Sequence, residues 1–274
     1  MKGRATVRNL FIYIPLVIIA LFVLGPFIWM LSTSVKPNGE VLSVIPHLIP
    51  RRWEFDNYAK AFASSPFLLY FWNSFFISFV ETAVDLTIGA MAAYAFARID
   101  FIGKRALFLV LLATIMVPGE VLLIPNYITI TNLGWVNSYQ GLIVPWLVSV
   151  FTIFLMRQYF LSLPQELFDA AEMDGCGPLR TLFRIVLPVS KPIWITAALI
   201  KFVGAWNSFL WVLVVANSPS LYTLPVGLIN FSSNEGTVYN QLMAAATFTV
   251  IPLVILFAVG QRYFVEGIAR AGIK

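Results

Sequence analysis

Charge is scarce in this sequence. Charged residues are 11% of 274, hydrophobic ones 59%, and the mean hydropathy is +0.85. Soluble domains carry about a quarter charged residues and somewhat under half apolar ones, so an ordinary water-soluble fold is excluded and the excess apolar surface must face lipid. Cys176 is the only cysteine, which excludes an internal disulfide and a cysteine-based metal cluster. No Gly-x-x-x-x-Gly-Lys-Ser/Thr phosphate loop occurs, so the chain has no visible means of hydrolysing ATP. The apolar blocks hold no His/Asp/Glu metal cluster and no nucleophile–base pair, so no catalytic residue and no metal ligand is assigned. The net charge of +5 is read as the basic side of a membrane protein, not as a nucleic-acid surface. His47, the single histidine, sits in a polar loop with no companion.

What the chain has is long apolar runs, at roughly 10–32, 71–97, 106–128, 139–156, 192–216 and 242–264. A spanning helix needs about 20 mostly apolar residues. Barrel strands would alternate apolar and polar residues over about ten positions, and these runs do not alternate. The expectation is an all-α membrane protein of six transmembrane helices, with residues 1–274 forming one transmembrane domain. The first run is too long for a signal-peptide core and no small-residue cleavage site follows it. Basic residues stay on the cytoplasmic side. One set of connections and ends holds 13 of them, among them Arg98, Lys104, Arg157, Arg180 and Arg262; the opposite set holds only Lys36, Arg51, Arg52 and Lys60. Both termini are therefore expected in the cytoplasm. The outer connections are 33–70, with a short surface helix expected near Glu54–Phe62, and 217–241, whose one charge is Glu235.

The longest inward connection, 157–191, reads as two short helices. Ser162 with Gln165 three residues on suggests a capping box, with Pro164 tolerated in the first turn. Leu167, Ala170, Ala171 and Asp174 recur at helical spacing, and Gly175 and Gly177 supply the stop. Pro178 starts a second helix, Leu179 to Val186, which Pro188 is expected to end. A short helix of small residues suits docking in another protein's groove; the plainer reading is a solvated loop helix.

The spacing here is Asp169-Ala170-Ala171, three residues, Gly175, nine residues, then Ile185-Val186-Leu187-Pro188. It resembles the signature loop of ABC importer permeases, Glu-Ala-Ala, three residues, Gly, nine residues, Ile-x-Leu-Pro, with Asp169 in place of glutamate. Asn73-Ser74, Ala92 to Arg98, Val117-Pro118, Ile124-Pro125, Leu133-Gly134-Trp135, Ala205 to Leu210 and the tail Gln261 to Gly267 are similar to the carbohydrate branch, in particular to the second permease subunit of maltose-type sugar importers. The resemblance implies an ABC type I importer-like bundle in a bacterial or archaeal cytoplasmic membrane. It also implies the partners: a second permease subunit, two ATPase subunits that hold ATP and Mg, and an extracytoplasmic solute-binding protein, with no cofactor on this chain. Asp169, Ala170, Ala171, Asp174, Gly175, Ile185, Leu187 and Pro188 would form the ATPase-docking loop.

Glu81, Asp85 and Lys201 fall deep inside apolar blocks, where each charge costs about 2.5–3.5 kcal/mol at mid-membrane. Glu81 and Asp85 lie one turn apart on one helical face, and Lys201 reaches a similar depth at about 1.5 Å per residue. Lys201 is expected to pair with Asp85 or Glu81, either as a neutralised structural cluster or in contact with solute. Trp206 and Asn207 offer a stacking face and an amide, suited to a sugar or to plain packing. Glu120, after Pro118-Gly119, is a further candidate for the solute path or a helix-end charge. The leading function is ATP-driven import of a sugar or related small polar solute. The alternative is an ion-coupled carrier using Glu81, Asp85 and Lys201.

Overall fold

The computed structural model describes the backbone of residues 2–233 and 236–272, and the side chains of 13–232 and 237–262. Glu235 and the side chains of Lys2, Arg4, Arg8, Arg270, Lys274 and the Tyr263–Gly267 tail lie outside the described residues.

The chain is helical almost throughout. In order come α1 (Lys2–Ser34), α2 (Asn38–Val41), α3 (Asp56–Ser64), α4 (Phe67–Arg98), α5 (Lys104–Thr114), α6 (Leu123–Asn132), α7 (Tyr139–Ile143) and α8 (Val150–Leu161). Then follow α9 (Gln165–Met173), α10 (Pro178–Thr181), α11 (Leu187–Val189), α12 (Lys191–Trp206), α13 (Leu210–Val215), α14 (Leu224–Gly227) and α15 (Tyr239–Gly272). Tyr13–Ser34, Phe67–Arg98 and Tyr239–Arg262 are each long and apolar enough to cross a membrane, and three bent helix pairs bring the number to six if each counts as one span.

The bends are where the chain departs from a simple reading of its apolar blocks. The third block turns by 89° between α5 and Gly119–Asn132. Pro118 has no N–H to give and disfavours helix at Val117 before it. The fourth block bends by 40° between Trp146 and Val150, then runs on to Leu161, beyond the expected end at 156. The fifth block is not one helix: α12 stops at Trp206, where Asn207 leaves the helix at φ −85°, ψ 4°, and α13 resumes at Leu210.

The chain divides into two compact units. One comprises residues 1–66 and 228–251. The Tyr13–Ser34 stretch of its α1 is apolar all round, and Phe22 is 83% exposed within the chain, the pattern of a helix that meets lipid. Beyond α1, the buried Asn57 amide donates to the carbonyls of Ser34 (3.0 Å) and Lys36 (2.9 Å), and Asn240 donates to Asn57 Oδ1 (3.1 Å). Lys36 is only 2% exposed, donates to the His47 carbonyl, and lies 4.6 Å from the Trp29 ring centroid. Asn57, Asn240 and Lys36 thus find the partners that burial demands. A two-stranded antiparallel ribbon pairs Ser232–Ser233 with Gly236–Thr237.

The other unit comprises residues 67–227 and 252–274 and is built around α4. Gly89, Ala90, Ala93 and Ala97 make one face of α4 narrow, so α8 and α12 approach it closely. A Cβ on Gly89 would lie 3.0 Å from Thr152 Cγ2. Phe96, Met156, Phe160, Leu182, Val186 and Ile193 fill the core at one end, and Ile77, Leu142, Trp211 and Val215 fill it at the other.

Candidate functional site

Two regions of the second unit bring sequence-predicted residues together. The first is the connection after α8. Helix α9 ends in a Schellman arrangement: Gly175 N–H bonds the Glu172 carbonyl at 2.9 Å, and Cys176 N–H reaches back to the Ala171 carbonyl at 2.9 Å. Gly175 sits at φ 71°, where a glycine is at ease. Gly177 plays another part, since it is the extended N-cap of α10 at φ −70°, ψ 165°.

Three details differ from the sequence reading. Ser162 does not cap α9: its hydroxyl donates to the Tyr159 carbonyl at 2.7 Å, and Pro164 occupies the cap position. Gln165 instead donates to Asp169 Oδ1 at 2.9 Å. Nor does Pro188 end the second helix. Residues Leu182–Val186 widen into a π turn, which accommodates the proline ring and its missing N–H, and the helix runs to Val189.

Asp169, Ala170, Met173, Asp174, Gly175 and Pro188 face outward; Ala171 is 2% exposed and turned into the chain, and Ile185 and Leu187 are half-buried. What holds α9 in place is Arg98, at the end of α4. Its guanidinium donates to Gln165 Oε1 (2.8 Å), the Phe160 carbonyl (2.7 Å) and the Leu163 carbonyl (2.8 Å), and lies 3.7 Å from the Phe168 ring centroid. Sequence reasoning used Arg98 only as part of a motif and as a marker of sidedness.

The second region lies inside the spans. Lys201 Nζ sits 3.0 Å from Glu81 Oε2 and donates to the Trp146 carbonyl at 2.5 Å. Asp85 turns the other way and accepts from Ser149 N–H at 2.5 Å and Thr152 Oγ1 at 2.6 Å, at the start of α8. The fourth span breaks at 147–149, and Lys201 and Asp85 satisfy the Trp146 carbonyl and the Ser149 N–H on either side of the break. Glu81 and Lys201 also line a cavity of about 600 Å³ with Trp146, Ser149, Gly204 and Ser208. Trp146 and Ser149 were not singled out from sequence; the only available signal was a Pro–Trp pair interrupting an apolar block.

Trp206 is 1% exposed, with its ring against Phe71 and Phe202 at 5.8 Å each. Asn207 beside it is exposed, as is Glu120 in the short helix Gly119–Leu122. The structure does not bring Glu120 to the other two.

A family model described as the binding-protein-dependent transport system inner membrane component matches residues 85–270. The chain belongs to this family. It is 36% identical over 259 residues to the arabinooligosaccharides transport system permease protein AraQ of Bacillus subtilis (strain 168), covering 93% of this chain and 92% of that one. It is 32% identical to the inner membrane ABC transporter permease protein YcjP of Escherichia coli (strain K12), covering 99% of both. The fold matches a chain from the crystal structure of a bacterial ABC transporter involved in the import of the acidic polysaccharide alginate. That match has a TM-score of 0.83 at 24% identity, over 94% of this chain and 97% of that one.

The protein is thus a permease subunit of an ABC importer, an all-α inner-membrane component with a transport role, and the ion-coupled carrier is set aside. Its resemblance to this family, carried by Asp169-Ala170-Ala171 through Pro188, holds over the matched residues.

Proposed function

We propose that this permease carries a sugar or related small polar solute, oligosaccharides foremost, and that ATP hydrolysed on two partner subunits drives it through α9. The name of the AraQ relative supports the sugar class. The observation that carries the coupling role is the build of α9. One face is fixed to α4 through Arg98, the end is closed by Gly175, and the other face stays open, with Met173 84% exposed.

In this reading residues 157–191 and both termini lie in the cytoplasm, a second permease completes the pathway, and an extracytoplasmic binding protein delivers solute. ATP and Mg belong to the ATPase subunits, and no cofactor resides on this chain. Closure of the ATPases would push α9, and the rigid helices would convert that push into alternating access. Asp169 and Asp174 offer carboxylates to the docked partner.

Cross-linking tests the proposal. In a Cys176→Ser background, Met173→Cys is expected to form a cross-link to the ATPase subunit that changes with ATP. No cross-link, together with full-rate uptake, would overturn it.

A further inference from the structure

Glu81 and Lys201 do more than neutralise each other, because their pair forms part of a cavity wall. Within the described residues the Lys201 side chain is 14% exposed and that of Glu81 5%, so the pair is sheltered but reachable. The cavity, at about 600 Å³, is within the range of about 300–1,000 Å³ typical of small-molecule sites. Its chemistry is mixed in a particular way. An ammonium and a carboxylate stand 3.0 Å apart, a donor beside an acceptor at the spacing of two adjacent hydroxyls. Trp146 adds an apolar ring surface, its indole N–H being buried and without a hydrogen-bond partner among the described residues. Ser149 and Ser208 add hydroxyls. The two lining charges cancel, while Asp85 is engaged by Ser149 and Thr152. Gly204 keeps the wall low: a Cβ there would meet nothing within 4 Å.

We infer that this cavity is a solute subsite for an uncharged polyhydroxy ring, with Glu81 and Lys201 contacting neighbouring hydroxyls and Trp146 bearing on the ring. The inference rests on the sugar reading above. A net-neutral pair gives no overall attraction to anionic solutes, and it binds hydroxyls through charge-assisted hydrogen bonds, which are the stronger kind. This assigns selectivity to the permease itself, in addition to whatever the delivering protein imposes.

The test uses the assembled importer in proteoliposomes, saturated with binding protein loaded with radiolabelled arabinotriose, and reads sugar carried per ATP hydrolysed. Gly204→Leu takes up space in the cavity from a position where a Cβ meets nothing within 4 Å. Trp146→Phe trims the ring area on the cavity wall. Each is expected to lower the ratio by about fivefold, the effect of about 1 kcal/mol of lost ring contact or of space taken from the solute. The exchange Glu81→Lys with Lys201→Glu retains an ion pair and so tells packing from recognition: its ratio is expected to stay low in complexes that assemble. An unchanged ratio in Gly204→Leu and Trp146→Phe, or full restoration by the exchange, overturns the subsite. A wild-type importer that carries neither arabinotriose nor any of a panel of neutral oligosaccharides overturns the sugar reading, and the subsite with it.

Discussion

Lys201 and Glu81 join the fifth and second spans at 3.0 Å, and the same ammonium holds the Trp146 carbonyl of the fourth. One side chain thus ties three membrane segments together. Removing either partner strands a charge, and breaking a buried pair in this way costs about 3–5 kcal/mol. Lys201→Met and Glu81→Gln alone are expected to lower the thermal stability of the purified complex, and the double substitution to recover most of the loss. Equal losses in the double and the singles would rule out the pairing as a stabilising contact.

Asp85 has a different task, although it lies one turn from Glu81. It accepts from Ser149 N–H and Thr152 Oγ1 at the start of α8. Asp85→Ala leaves both without a partner, at about 1–3 kcal/mol for each buried group. Asp85→Asn keeps one acceptor and should cost less. Melting of the complex in detergent, followed for both variants, checks the order.

Arg98 makes three hydrogen bonds to the segment 160–165 and stacks over Phe168. A lysine cannot reproduce that fork. Arg98→Lys is expected to leave the complex assembled but to reduce uptake relative to ATP hydrolysis, by about tenfold for a loss of about 1.4 kcal/mol in coupling. Parallel assays of uptake and hydrolysis settle the matter; a proportional fall in both would point to simple misfolding.

Gly175 holds φ 71°, and a Cβ there would meet nothing within 4 Å. The cost of substitution within this chain is therefore conformational, about 1–2 kcal/mol for an ordinary residue. Gly175→Asn is expected to be milder than Gly175→Val in uptake, because asparagine tolerates the left-handed region. If valine and asparagine perform alike, the turn is not what limits the loop.

Gly141 is constrained by space instead. A Cβ would fall 2.2 Å from the Trp135 carbonyl oxygen. Gly141→Ala should cost at least the about 1–3 kcal/mol of an overpacked core. Gly25→Ala, with nothing within 4 Å, should be harmless. Expression and melting temperature of the two variants, side by side, give the comparison.

The apolar blocks are legible in the sequence because lipid imposes a simple rule on length and composition, and the Gly175 turn because its spacing and residue type admit few alternatives. Interruptions inside the blocks are less so. Pro118 marks a break, but an 89° turn depends on what packs on either side. The split between Glu81 and Asp85 is also hidden. Both occupy one helical face, and their partners are chosen by the close approach of α8 and α12 along the small residues of α4. Ser162 and Pro188 mislead for a related reason. Local capping rules do not register that Ser162 can bond back into the preceding helix, or that a helix can widen ahead of a proline. Trp206 carries the right chemistry for a sugar, yet it is buried against Phe71 and Phe202, and a ring contact between the second and fifth spans leaves no mark in a sequence.

The clasp at Arg98 has a mechanical corollary. A joint with several loose attachments would let α9 tilt while the bundle stayed still, dissipating the stroke. If α9 receives the stroke as proposed, a multi-pronged rivet at the tip of a 32-residue helix, backed by the buried Phe168 and Ala171, would turn a displacement at one end into torque on the longest rod of the unit, the one whose middle also carries Glu81 and Asp85.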